Sequence, residues 1–205
     1  LFSCCLSLFL LTACQRDVQP SPDAVAIGKQ LAGPRPATVA EPLWASVVGF
    51  YNARDSRPAW IDGRNGTKAR LVTAALDTAS QHGLDPADYG VAALEEQVDA
   101  LEAIDKNASV RAARVAALDM QLTIAILRLG HDVAVGRTLP TRVDSRWKAR
   151  RTPPDLAATL AAHDLEPGPW LQAVRPPHPE YAALEKALEG LRGQQTRGDW
   201  PQVPA

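Results

Sequence analysis

The chain has 205 residues, with 22 basic and 23 acidic side chains for a formal net charge of −1, and 46% hydrophobic against only 5% aromatic residues. Thirty-five alanines favour helix over strand, so an all-α fold is predicted and a β-sandwich is disfavoured. A pI of about 6.5 leaves no global field for a phosphate backbone, which argues against a nucleic-acid partner.

Residues 6–13 form an almost unbroken apolar run ending in Leu11-Thr12-Ala13-Cys14, after which the chain turns polar at Gln15-Arg16-Asp17. A signal-peptide core is ~7–15 residues and a bilayer span needs ~20, so residues 1–13 fit a signal better than a transmembrane helix. The pattern resembles a bacterial lipoprotein lipobox. That resemblance implies cleavage after Ala13, lipid on the Cys14 thiol and acylation of its freed amine, and a membrane-anchored periplasmic protein. Gln15 after the lipid cysteine favours the outer membrane. The competing reading is a cleaved secretory signal in which Cys14 is incidental. No initiator Met or basic segment precedes Leu1, which points to a start further upstream. Cys4, Cys5 and Cys14 are the only cysteines. A chain cleaved after Ala13 would therefore have no internal disulfide, thiol nucleophile or thiolate zinc site.

Residues 14–40 carry Pro20, Pro22, Pro34 and Pro36 among small and polar residues and read as a disordered tether, with only a weak helical pattern over residues 23–31. From residue 41 the period becomes helical: Leu43, Val47, Phe50 and Tyr51 share a face that Trp44 and Val48 broaden. Arg57-Pro58 breaks that helix, because the residue before a proline is pushed out of the α region. A short extended piece is predicted at residues 58–61. Thr67 is the expected N-cap of a second helix with Leu71, Val72, Ala75, Leu76 and Ala79 on its face, ending at Gly83. Leu94, Val98 and Leu101 stripe a third over residues 91–104. The fourth, residues 110–129, is the most apolar and the best candidate for the central element. A short helix over residues 155–162, another at 170–174, and a last one after His178 with Tyr181, Leu184, Leu188 and Leu191 as its stripe complete about six to seven helices. Gly193 is the expected stop. The domain is thus placed at residues 41–193, with 194–205 as a linker.

Chemical motifs are scarce. His82, His131, His163 and His178 are scattered without metal-ligand spacing, and His82 and His131 suit helix C-terminal capping better than ligation. Gly-x-Ser-x-Gly, P-loop and Rossmann patterns are absent. No catalytic, cofactor or metal residue is assigned, and Cys14 is the one position with expected chemistry. Acids such as Glu95 and Glu96 read as a solvated face. Charge is segregated: residues 77–105 hold eight acids and no Lys or Arg, whereas residues 128–151 hold seven bases against Asp132 and Asp144. The bland expectation is that the basic stretch folds across the acidic helices; the sharper one is a docking face that includes Trp147. Trp44, Trp60 and Trp170 are assigned to the core.

Phe50-Tyr51-Asn52-Ala53-Arg54, Arg57-Pro58-Ala59-Trp60, the run from His82-Gly83-Leu84-Asp85-Pro86 to Tyr89, and Pro176-Pro177-His178-Pro179-Glu180-Tyr181 together resemble the scaffold domain of the large, YcbB-type L,D-transpeptidases, over about residues 41–205. The closing Gly198-Asp199-Trp200-Pro201 resembles the entry to the peptidoglycan-binding and catalytic regions of such enzymes. The resemblance implies peptidoglycan cross-linking by thiol acyl transfer, in which a cysteine in a Ser-His-Gly-Cys run attacks a stem-peptide amide. This sequence has no such run and no cysteine after Cys14, so no catalytic residue carries over and the chain alone is predicted to be inactive. The implied partners are the lipid and membrane at Cys14 and peptidoglycan or a catalytic L,D-transpeptidase domain. The alternatives are a separate helical lipoprotein that binds a cell-wall enzyme or murein and, third, a lysozyme-like glycosidase, which would need a tryptophan-lined groove beside a buried Glu.

Overall fold

A computed structural model describes residues 19–198 except 63–64, 104–106, 139, 148–151 and 153. Its centre is α5 (Ala108–Val135), 28 residues capped by the Asn107 side chain, which accepts from Ser109 N. Val115, Ala116, Leu122, Ile126, Leu127 and Leu129 along it are fully buried, and together they occupy more than one face. A helix that is apolar nearly all round must be wrapped by others. Those others are α1 (Pro22–Leu31), α2 (Glu41–Asn52), α3 (Thr67–Asp77), α4 (Val91–Asp99), α7 (Leu156–Ala162) and α8 (Pro167–Val174), all in contact with α5. The one-turn α6 (Pro140–Val143) and α9 (Pro179–Arg197) lie outside this ring, and short 3-10 turns at Thr78–His82, Pro86–Tyr89 and Ala100–Ala103 join neighbours. The all-α expectation holds: among the described residues the sole β feature is an isolated bridge between Asp62 and Asn65.

Several sequence expectations need correction, among them Thr67, which is the first residue of α3 with Gly66 at the N-cap position. The tether assigned to residues 14–40 contains α1, capped by Ser21 Oγ and packed along α5 with Ile27 fully buried. The scattered apolar residues of this stretch make a weak pattern alone, yet burial of Ile27 contributes on the order of 1.5–3 kcal/mol once α5 supplies the partner surface. Residues 1–18, and with them the signal and Cys14, lie outside the described part. The last helix runs through Gly193 to Arg197 and stops at Gly198, whose φ of +73° is the left-handed conformation that glycine adopts without a Cβ penalty. Most of the predicted linker, including Trp200 to Pro204, is outside the described residues. Leu71 is 44% exposed, and the buried face of α3 is Ala69, Val72, Thr73, Ala75 and Leu76. His131 sits on α5 inside its last turns, because that helix extends past Leu129 to Val135.

Candidate functional site

Asp119 is the buried acid around which the first half of the fold is organised. It lies on α5 with its side chain inside the core and no exposed surface. Its Oδ1 accepts from the Tyr51 hydroxyl at 2.7 Å and from Ala59 N at 2.9 Å, while Oδ2 accepts from Trp60 N at 2.8 Å and Ile61 N at 3.1 Å. Thr123, one turn further along α5, takes the Trp60 indole N–H at 2.8 Å and lies 2.7 Å from the Tyr51 oxygen. Burial raises the Asp119 carboxyl above its ordinary range, and the backbone and Tyr51 donors pull it back. Four donors aimed at two oxygens are the partners an ionised carboxylate accepts.

Residues 58–61, expected as a short extended piece, form no strand and bend at Ala59 and Trp60. After α2 the chain makes two successive left-handed residues, Asp55 (φ 52°) and Ser56 (φ 56°), with Ser56 N donating back to Tyr51 O. The reversal turns the N–H groups of Ala59, Trp60 and Ile61 to one buried acceptor, and Asp119 satisfies all three. Phe50 packs edge-on to Tyr51 and stacks with Trp60 at 6.4 Å, closing the cluster.

The same turn projects Arg54 and Arg57 to the surface. Arg54 Nε and Nη2 donate to the carbonyls of Arg57 and Pro58 at 3.2 and 3.0 Å, and its guanidinium lies 5.3 Å from the Phe50 ring centre. Partial burial lowers its affinity for the proton. The two arginines stand at one end of a groove of about 820 Å³ between α2 and α7, walled by Ala45, Ser46, Gly49 and Ala53 on one side and Ala157, Ala158 and Ala161 on the other. A separate cavity of about 390 Å³ also touches Ser46 and is lined by Pro42, Leu43 and, on α5, Arg128, His131 and Asp132. The Tyr89 hydroxyl donates to Asp132 at 2.8 Å. Burial opposes ionisation of Asp132, but hydrogen bonds from His131 and Tyr89 and the nearby charges outweigh it and hold the carboxyl below its usual range.

A second constellation fastens α9 to the body. His82 has a side chain only 2% exposed, with Nδ1 lying 2.9 Å from the Tyr181 hydroxyl and 2.8 Å from Glu185 Oε1. Arg175 pairs with the other Glu185 oxygen at 2.7 Å and sits 5.7 Å from the Tyr181 ring centre, while Arg192 donates to the Ser80 carbonyl. Burial lowers the His82 imidazole below its ordinary value, against the pull of Glu185. The attachment is polar, and α9 has no buried residue among those described: Leu184 is 68% and Leu191 49% exposed. Half of the predicted Tyr181-Leu184-Leu188-Leu191 stripe therefore faces outward.

The other sequence candidates are dispersed. Trp44, Trp60 and Trp170 are buried as expected, Trp147 is 53% exposed, and Glu95 and Glu96 are exposed. The basic stretch meets the acidic one at Arg137, which pairs with Asp88 at 2.5 Å; Arg146 pairs locally with Asp144. Lys148, Arg150 and Arg151 lie outside the described residues. No group of three or more His, Cys, Asp or Glu among the described residues could hold a metal ion, and no described helix is long and apolar enough to cross a membrane. Trp44, Trp60 and Trp170 lie inside the core and do not line the aromatic groove beside a buried Glu that a glycosidase requires. Sequence reasoning passed over Asp119, Tyr51 as a hydrogen-bond donor, and Arg54. The available signal was a lone acid in the middle of the most apolar helix, at a position where an unpartnered charge could not be buried.

No curated protein and no solved structure matches the chain. The Scaffold domain family matches residues 45–188, well over half of the chain. That span starts on α2, takes in the Asp119 network and the groove, and ends on α9 beyond Glu185, and the chain belongs to the Scaffold domain family.

Proposed function

We propose that this chain is the non-catalytic helical scaffold segment of a periplasmic murein L,D-transpeptidase, acting in peptidoglycan cross-linking and anchored to a membrane by lipid on Cys14. The observation that carries the reading is the Scaffold-family match over residues 45–188, joined to the family-like motifs within that span. Phe50-Tyr51 and Arg57-Pro58-Ala59-Trp60 build the Asp119 network, while His82 and Tyr181 build the α9 attachment. Such a platform supplies a rigid body rather than chemistry. The outward leucines of α9 offer apolar area at the end of the domain nearest the following region, the place where a catalytic domain would rest.

Two measurements test this. In cells, radiolabelled palmitate is expected on the protein and lost in Cys14→Ala, with the protein moving from membrane to soluble fractions; unlabelled wild type refutes the anchor. With purified components, the chain is expected to bind a separately produced L,D-transpeptidase catalytic domain by calorimetry, and Leu184→Glu with Leu191→Glu to weaken binding at least tenfold without changing the circular dichroism. No binding to the catalytic domain, together with saturable binding to purified sacculi, would replace this reading by that of a separate murein-binding lipoprotein.

A further inference from the structure

The helices around α5 are held by buried apolar side chains, whereas α9 has no buried residue among those described and meets chiefly the 3-10 turn Thr78–His82. Tyr181, Glu185, Leu188 and Arg192 follow one another at spacings of four, three and four and so share one face of the helix. Three of the four make polar contacts with the body: Tyr181 and Glu185 reach His82 Nδ1 at 2.9 and 2.8 Å, and Arg192 donates to the Ser80 carbonyl. Leu184 and Leu191 lie off that face and are exposed. A cleft of about 610 Å³ stays open between turn and helix, lined by Ser80, Gln81, Lys186, Leu188 and Glu189 among others, so the two surfaces are not close-packed. Glu185 is the centre of the attachment, with Oε1 on His82 and Oε2 on Arg175 at 2.7 Å. Both partners belong to the body, His82 at the end of the 3-10 turn and Arg175 at the end of α8. The chain then passes through Pro176, Pro177 and His178 without helical structure. The two prolines have no N–H with which to tie that connection down.

We propose that α9 is a hinged arm latched to the body through Glu185, and that opening the latch lets it turn about residues 175–178 while the body around α5 stays folded. The Glu185 and Arg175 side chains keep 19% and 25% of their surface in water, so water replaces their contact at small net cost. Departure of α9 exposes little apolar area, because Leu188 is the one aliphatic side chain on the attached face, and burial of such area is what holds the other helices. At 19 residues α9 exceeds the ~12–15 below which an isolated helix is marginal, so it leaves as a helix. It is about 28 Å long at 1.5 Å per residue, and a rotation of ~30° about the hinge moves its far end by ~14 Å. The rotation carries residues 199–205 along and changes where Leu184 and Leu191 are presented. The inference stands on the α9 attachment alone and does not require the transpeptidase reading.

The test is double electron–electron resonance on the full chain, with nitroxides attached through p-acetylphenylalanine in place of Lys68 on α3 and Gln195 on α9, both exposed. Wild type is expected to show one dominant distance with a minor displaced component. Glu185→Gln is expected to enlarge the displaced component at least fivefold, and Arg192→Gln at least twofold. Glu189→Gln is the control, since Glu189 lines the same cleft without an ion pair among the described residues, and is expected to leave the distances unchanged. Hydrogen exchange of the α5 amides, followed in the same variants, is expected to match wild type. An unchanged distance distribution in Glu185→Gln, an equal response to Glu189→Gln, or α5 exchange that accelerates in step with the displacement each overturns the proposal. Failure of palmitate labelling or of catalytic-domain binding would leave this result untouched.

Discussion

Replacing Asp119 by alanine probes the network on which residues 58–61 depend. The substitution removes the acceptors that the Ala59, Trp60 and Ile61 N–H groups have among the described residues, and all three residues are buried. The Tyr51 hydroxyl retains Thr123 Oγ1 at 2.7 Å, so the three backbone donors decide the outcome. A buried donor left unpaired costs about 1–3 kcal/mol, which sets the loss at about 2–6 kcal/mol even if water relieves one of the three groups. That is a large share of the ~5–15 kcal/mol stability of an ordinary domain. Tyr51→Phe deletes one donor and leaves the carboxylate with three N–H partners, so about 1 kcal/mol is expected. Urea unfolding followed by tryptophan fluorescence measures both, with Trp60 as a reporter inside the cluster. A loss below about 1.5 kcal/mol for Asp119→Ala, or equal losses in the two variants, would show that the network does not hold the turn.

Three further perturbations address other parts of the fold. Gly130→Ala places a methyl group 2.1 Å from Trp170 Cη2, so overpacking of about 1–3 kcal/mol or more should outweigh the ~1 kcal/mol helix-propensity gain; a raised melting temperature would refute that packing. Ile27→Ala should destabilise by about 2–4 kcal/mol whereas Val25→Ala, at a 56% exposed site on the same helix, should be nearly neutral in the same unfolding assay; equal small effects would return α1 to a tether. The His82 imidazole protonates near pH 6.5 when unfolded but lower in the folded state, because burial outweighs Glu185, so the unfolded state holds more protons as pH falls below about 6.5. Its contribution is therefore fully present above that pH and declines below it. Melting temperatures from pH 7.5 to 5 should fall less steeply in His82→Gln than in wild type, and parallel curves would refute the assignment.

The helical body was legible because burial imprints a 3.6-residue period, and α5 shows how far that signal reaches: continuous apolar density over residues 110–129 marked it as central before any contact was known. Trp44, Trp60 and Trp170 were placed in the core for the same reason, since large apolar side chains have few other sites in a small domain. The exposed α9 leucines show the limit of that signal. Periodicity says that a face is apolar but not whether a partner covers it, and here the polar His82-Glu185-Arg175 fastening turns Leu184 and Leu191 outward.

What the sequence by itself determined was local: the alanine-rich helical bias, the breaks at Pro58 and before Pro179, and the absence of a Ser-His-Gly-Cys run. What only the tertiary structure decided was the outcome of long-range competition. Residues 22–31 fold because α5 covers Ile27, and Asp119 is tolerated in the core because a turn some sixty residues earlier brings it Ala59, Trp60 and Ile61. Arg54 and Arg57 stand at the mouth of a groove whose opposite wall comes from α7. Each depends on groups far apart in sequence, where neither spacing nor propensity carries information, and on a cost of burial that is met only when those groups arrive together.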